Sequence, residues 1–106
     1  MIVVGSVVHL EAGSKAGRTG VVLRVLDDAR GTVAFVSWGT GTLRTGHKHV
    51  AVDPREPAGV MLALSKPTYF YPGNVWIGPV ARLELRPKHC PPELLDALCG
   101  MFGIRR

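Results

Sequence analysis

The sequence predicts a mainly β chain, a small and partly open barrel of short strands closed by one C-terminal helix. Three observations carry this. Thirteen glycines and eight prolines in 106 residues imply many turns and few long elements. β-branched runs recur at short intervals, and only the segment after Pro91-Pro92 changes to a helical period. A chain of this length has room for one core, so residues 1–106 are expected to form a single domain. With 46% hydrophobic and 20% charged residues, the composition is that of a globular protein rather than a disordered one.

The first apolar stretch, Ile2 to Leu10, breaks at Gly5-Ser6 and resumes as Val7-Val8-His9-Leu10, which reads as a strand. Residues 11–19 are small and polar and predict a loop. Gly20 to Leu26 and Thr32 to Trp38 are β-branched runs separated by Asp27-Asp28-Ala29-Arg30-Gly31, a hairpin with a five-residue connection whose glycine can take positive φ. Gly39-Thr40-Gly41-Thr42 then breaks the regular chain, and His47 to Asp53 alternates into another strand.

Val60 to Leu64 reads as a strand or a single helical turn. Thr68 to Tyr71, Asn74 to Ile77 and Val80 to Leu85 predict short strands, with a turn at Pro72-Gly73 between the first two. Pro67 and Pro79 belong at strand edges or starts, because proline cannot donate to a ladder. A helix over about 91–103 puts Leu94, Leu95, Leu98 and Phe102 on one face. Glu93 and Asp96 lie near its positive end and Arg105 and Arg106 follow its negative end. Gly100 inside it costs about 1 kcal/mol relative to alanine, so tertiary packing must hold it.

The N-terminal Met1-Ile2-Val3-Val4-Gly5 has no basic leader and no apolar run reaches membrane-spanning length, so neither a signal peptide nor a membrane span is expected. Cys90 and Cys99 lack the spacing of a zinc site or a secreted disulfide scaffold. They read as reduced thiols of a cytoplasmic protein. The formal charge is +5, and nine of the thirteen basic residues are arginine, whose planar fork of donors suits phosphate. No nucleotide-binding glycine loop with lysine, nucleophile elbow or pair of catalytic carboxylates is present.

His47-Lys48-His49 would place two imidazoles on one face of a strand, and with Arg44 they suit phosphates better than a metal, for which a third ligand is missing. Lys15 joins Arg44, His47, Lys48 and His49 as the expected phosphate-contacting set. Tyr69, Tyr71 and Trp76 are candidates for stacking on bases, whereas alternation sends Phe70 to the core. No metal or cofactor is expected.

Two family resemblances follow from particular residues. Gly5-Ser6-Val7-Val8-His9-Leu10, with Gly13, Gly17 and Gly20-Val21-Val22, has the glycine and valine spacing of the KOW motif, a strand–loop–strand unit of small barrels in transcription and ribosomal proteins. It departs at Ser6, where an acidic residue is usual, and at Ala16, where a lysine is usual.

The second resemblance spans more of the chain. Gly17-Arg18-Thr19-Gly20-Val21-Val22-Leu23, Val36-Ser37-Trp38-Gly39-Thr40-Gly41-Thr42, Leu64-Ser65-Lys66-Pro67-Thr68-Tyr69-Phe70-Tyr71 and Pro92-Glu93-Leu94-Leu95-Asp96-Ala97-Leu98 resemble, in order, blocks of the MazF/PemK-like toxins. That resemblance implies an SH3-like barrel, a homodimer, restraint by an antitoxin protein, and cleavage of single-stranded RNA without a metal. It makes Arg18 and Thr40 the expected catalytic residues. Thr19 stands where the family has a proline, so the start of that strand is less rigid here. The KOW resemblance implies instead a barrel that binds RNA or a protein without chemistry.

Overall fold

Consecutive valines on the first two strands dictate a sheet buried on both faces, since side chains one residue apart point to opposite sides. Val7 and Val21 enter one core with Leu23, Phe70 and the C-terminal helix, while Val8 and Val22 enter another with Ala34, Val36, Trp38 and Leu83. The computed structural model describes residues 1–10 and 18–105. It has strands β1 (Ser6–Leu10), β2 (Thr19–Asp28), β3 (Gly31–Thr40), β4 (Val50–Val52), β5 (Thr68–Pro79) and β6 (Leu83–His89). Helix α1 (Pro57–Met61) precedes β5, a 3-10 turn (Val80–Arg82) precedes β6, and α2 (Pro92–Met101) follows it.

All six strands form one antiparallel sheet in the order β4-β5-β3-β2-β1-β6. The sheet curls into a half-barrel and α2 lies on one face, the partly open barrel with a terminal helix that the sequence predicts. Leu94, Leu95 and Leu98 are buried, and Phe102 packs edge-on against Phe35 with ring centroids 5.1 Å apart. No helix among the described residues is long and apolar enough to cross a membrane.

The curl comes from three irregularities, each adding residues to one strand of a pair. Leu23 bulges between Val22 and Arg24 against β3. Residues 71–74 of β5 lie opposite Trp38 alone, and residues 86–88 of β6 lie opposite Val7 alone. Pro72 and Pro87 fall inside the two larger bulges, where a missing N–H breaks no ladder bond.

Several boundaries differ from the sequence reading. Pro72-Gly73 marks a bulge inside one 12-residue strand and not a turn between two strands. The β2–β3 hairpin is tighter than five residues, because Asp27 and Asp28 stay paired with Thr32 and Gly31, the latter at φ 121°. Strand β4 is only Val50–Val52, so His47, Lys48 and His49 precede it. Strand β3 runs through Thr40, and Val80–Arg82 forms the 3-10 turn while β6 extends to His89. The apolar run at 60–64 completes a short helix. Cys90 and Cys99 are buried thiols of the helix-side core.

Candidate active site

A cleft of about 590 Å³ opens at one end of the sheet, where the 86–88 bulge, the end of β3 and the segment leading into β5 converge. Arg18 and Thr40 both line it. Arg18 is exposed immediately before β2. Thr40 closes β3 and is 9% exposed; its Oγ1 accepts the Thr42 backbone N–H at 3.3 Å, so the hydroxyl orders the turn beyond the strand.

Residues missed by the sequence reading complete the site. The 86–88 bulge brings Arg86 and Lys88 to the wall, and Lys66 arrives ahead of β5. Ending the last strand at Leu85 concealed this pair; the Arg86-Pro87-Lys88 pattern, with proline at a bulge, was the available signal. Gly39 makes the floor close-packed, because a Cβ there would run into the Thr68 methyl and lie 3.2 Å from the Phe70 ring. Among the described lining residues there are four fixed cations, Arg18, Lys66, Arg86 and Lys88, and no carboxylate. Such a concave, one-signed surface concentrates polyanions.

His9 is the other titratable group of the cleft. It is half-buried on β1, across from Thr19 on one side and Glu84 on the other. Its Nε2 lies 3.5 Å from Thr19 Oγ1. Burial lowers its pKa from the ordinary histidine value, the Arg86 charge lowers it further, and Glu84 opposes both. Glu84 also pairs with Arg86 at 2.7 Å, a partly exposed contact of small energetic weight.

One wall of the cleft is held in an uncommon backbone conformation. Ala63 lies at φ 56°, following helix α1. Leu64 N–H bonds the Gly59 carbonyl and Ala63 N–H the Val60 carbonyl, each at 3.0 Å, a Schellman ending usually built on glycine. Helix α2 ends the same way on Gly103 at φ 69°. The alanine therefore stores strain beside the cleft.

Arg44, His47, Lys48 and His49 are all exposed and form a separate patch, of which Arg44, His47 and His49 gather around Tyr71. The Arg44 guanidinium lies 5.2 Å from the Tyr71 ring centroid, and the His49 ring is 5.4 Å from Tyr71 and 5.8 Å from Tyr69. His49 Nδ1–H donates to the His47 carbonyl at 2.7 Å. Tyr71 itself is 2% exposed, so it is not the free stacking platform the sequence suggested. Its hydroxyl accepts the Arg44 N–H at 2.5 Å and donates to the Thr42 carbonyl at 3.2 Å. Because Thr42 also lines the cleft, the phenol ties patch to cleft.

Trp76 is half-buried against the second core, and Phe70 is fully buried as alternation required. Lys15 lies outside the described residues. Among the described residues no three histidine, cysteine, aspartate or glutamate side chains converge as a metal site. Comparison with protein families, curated proteins and solved structures finds no match for this chain.

Proposed function

We propose that the chain is an endoribonuclease that cleaves single-stranded RNA in the Arg18–Thr40 cleft without needing a metal. The observation that carries the reading is convergence. Arg18 and Thr40, which the toxin resemblance pairs, line one cleft together with Lys66, Arg86 and Lys88. When a ribose 2′-hydroxyl attacks its neighbouring phosphorus, negative charge grows on the phosphate oxygens. A guanidinium and a hydroxyl held beside that phosphate favour the transition state over the substrate. The remaining cations position the backbone on either side, and the Arg44–His49 patch extends the track beyond Thr42.

By the same resemblance the chain acts as a dimer in the cytoplasm and is restrained by an antitoxin protein. Incubation of wild-type and Arg18→Ala protein with a long single-stranded RNA in EDTA tests the reading. Discrete fragments from the wild type alone support it; intact RNA in both lanes overturns it.

A second reading has its own support. Strands β1 and β2 pair antiparallel, as the two strands of a KOW unit do. It predicts RNA or protein binding without cleavage, with only modest loss in Arg18→Ala.

A further inference from the structure

We propose that the His9 imidazole is the general base of the cleft, taking the 2′-hydroxyl proton as that oxygen attacks phosphorus. The inference rests on the endoribonuclease reading.

Three observations support the assignment. His9 shares the cleft with Arg18 and Thr40, the groups that would hold the phosphate. It is the only described lining residue able to accept a proton near neutral pH, since the others are guanidinium or ammonium groups, hydroxyls and apolar side chains. Its Nε2 already faces a hydroxyl, Thr19 Oγ1 at 3.5 Å, a separation at the limit of hydrogen bonding that a substrate hydroxyl would better.

The surroundings favour the unprotonated form of this base. Thr19 of β2 and Glu84 of β6 lie across from it, Arg86 acts on it through its charge, and Arg18, Lys66 and Lys88 line the same cleft. Burial is the main influence and the Arg86 charge adds to it, while Glu84 opposes both, so the neutral imidazole is favoured. In the step itself the O2′–P bond forms and the P–O5′ bond breaks, giving a 2′,3′-cyclic phosphate and a 5′-hydroxyl. Nε2 receives the 2′ proton, O5′ takes a proton from water, and His9 returns its proton to the hydroxide so formed.

The test is the pH dependence of single-turnover cleavage by wild type, His9→Asn and His9→Gly. The expected result is a loss of roughly 100-fold or more in both variants. The acid limb of the wild-type profile should disappear in His9→Asn, and added imidazole should restore part of the His9→Gly rate. A His9→Asn enzyme with wild-type rate and profile overturns the assignment while leaving the nuclease reading intact. A wild type that leaves RNA uncut overturns the reading and the assignment with it. NMR titration of the wild-type histidine rings with a 2′-O-methyl oligonucleotide covers the case of variants that do not fold. A rise in the His9 pKa on binding supports the role, and an unmoved His9 overturns it.

Discussion

Around the cleft, the polar groups arrive from five separate stretches of chain: His9 on β1, Arg18 before β2, Thr40 ending β3, Lys66 before β5, and Arg86 with Lys88 on β6. Around Tyr71, the basic groups come from one run, Arg44 to His49, leaning on two rings of β5. The cleft is concave and floored by close-packed strand, whereas the patch is exposed throughout and held by ring contacts and one hydrogen bond from the Arg44 N–H to a phenol. Groups gathered from separate parts of one packed sheet keep their geometry better while charge develops, which chemistry requires. Groups on one exposed loop adapt to a flexible backbone, which suits binding.

The largest effect should separate the two directly. Arg18→Ala should lower the cleavage rate by roughly 100-fold or more, as loss of a transition-state charge partner does. His47→Ala with His49→Ala should weaken RNA binding only a few-fold and leave the rate at saturating RNA unchanged. Equal losses in both variants, measured by single-turnover kinetics, would merge the cleft and the patch into one site.

Gly39→Ala tests whether the cleft floor is as rigid as its packing implies. The new methyl collides with the Thr68 methyl and crowds the Phe70 ring, so urea unfolding should show a loss of about 1–3 kcal/mol. Unchanged stability would mean that β3 and β5 can separate there.

Tyr71→Phe removes the hydroxyl that joins Thr42 to Arg44. A loss of about 1 kcal/mol is expected, with the amide resonances of residues 42–49 shifting most. Confinement of those shifts to 44–49 would show that patch and cleft are uncoupled.

Ala63→Gly should relieve the left-handed alanine, partly offset by greater freedom of the unfolded chain, for a net gain below about 1 kcal/mol. A fall in stability would show that the Ala63 side chain contributes more packing than its backbone costs.

The smallest effect expected is on stability as a function of pH. The folded His9 pKa lies below the unfolded value of 6.5, so between the two the unfolded chain binds more protons. The His9 contribution is complete above pH 6.5 and is lost as pH falls towards the lowered folded value. His9→Asn should flatten that part of the stability profile, measured by urea unfolding at stepped pH.

The two regions also differ in how much of them could be read from the chain. Arg44, His47, Lys48 and His49 stand close together, so local reading finds them as a group. Even so, it placed the histidines on a strand that begins only at Val50. Arg18 and Thr40 came from a family resemblance. Their companions Arg86 and Lys88 were passed over because a bulge has no periodic signature, and His9 because it stood alone between apolar neighbours.

By itself the sequence determined what local chemistry can determine. Alternating and consecutive β-branched residues dictated strands, glycine and proline dictated their interruptions, and the Leu94-Leu95-Leu98 spacing dictated a terminal helix with one buried face. Basic composition made a polyanion the expected partner. Only the tertiary structure decided that Pro72 and Pro87 bend strands instead of ending them, and that the end of the curled sheet gathers His9, Arg18, Thr40, Lys66, Arg86 and Lys88. The physical reason is that strand register and bulge position are set by packing across the sheet, between residues tens of positions apart. A one-residue change of register there moves a side chain to the opposite face.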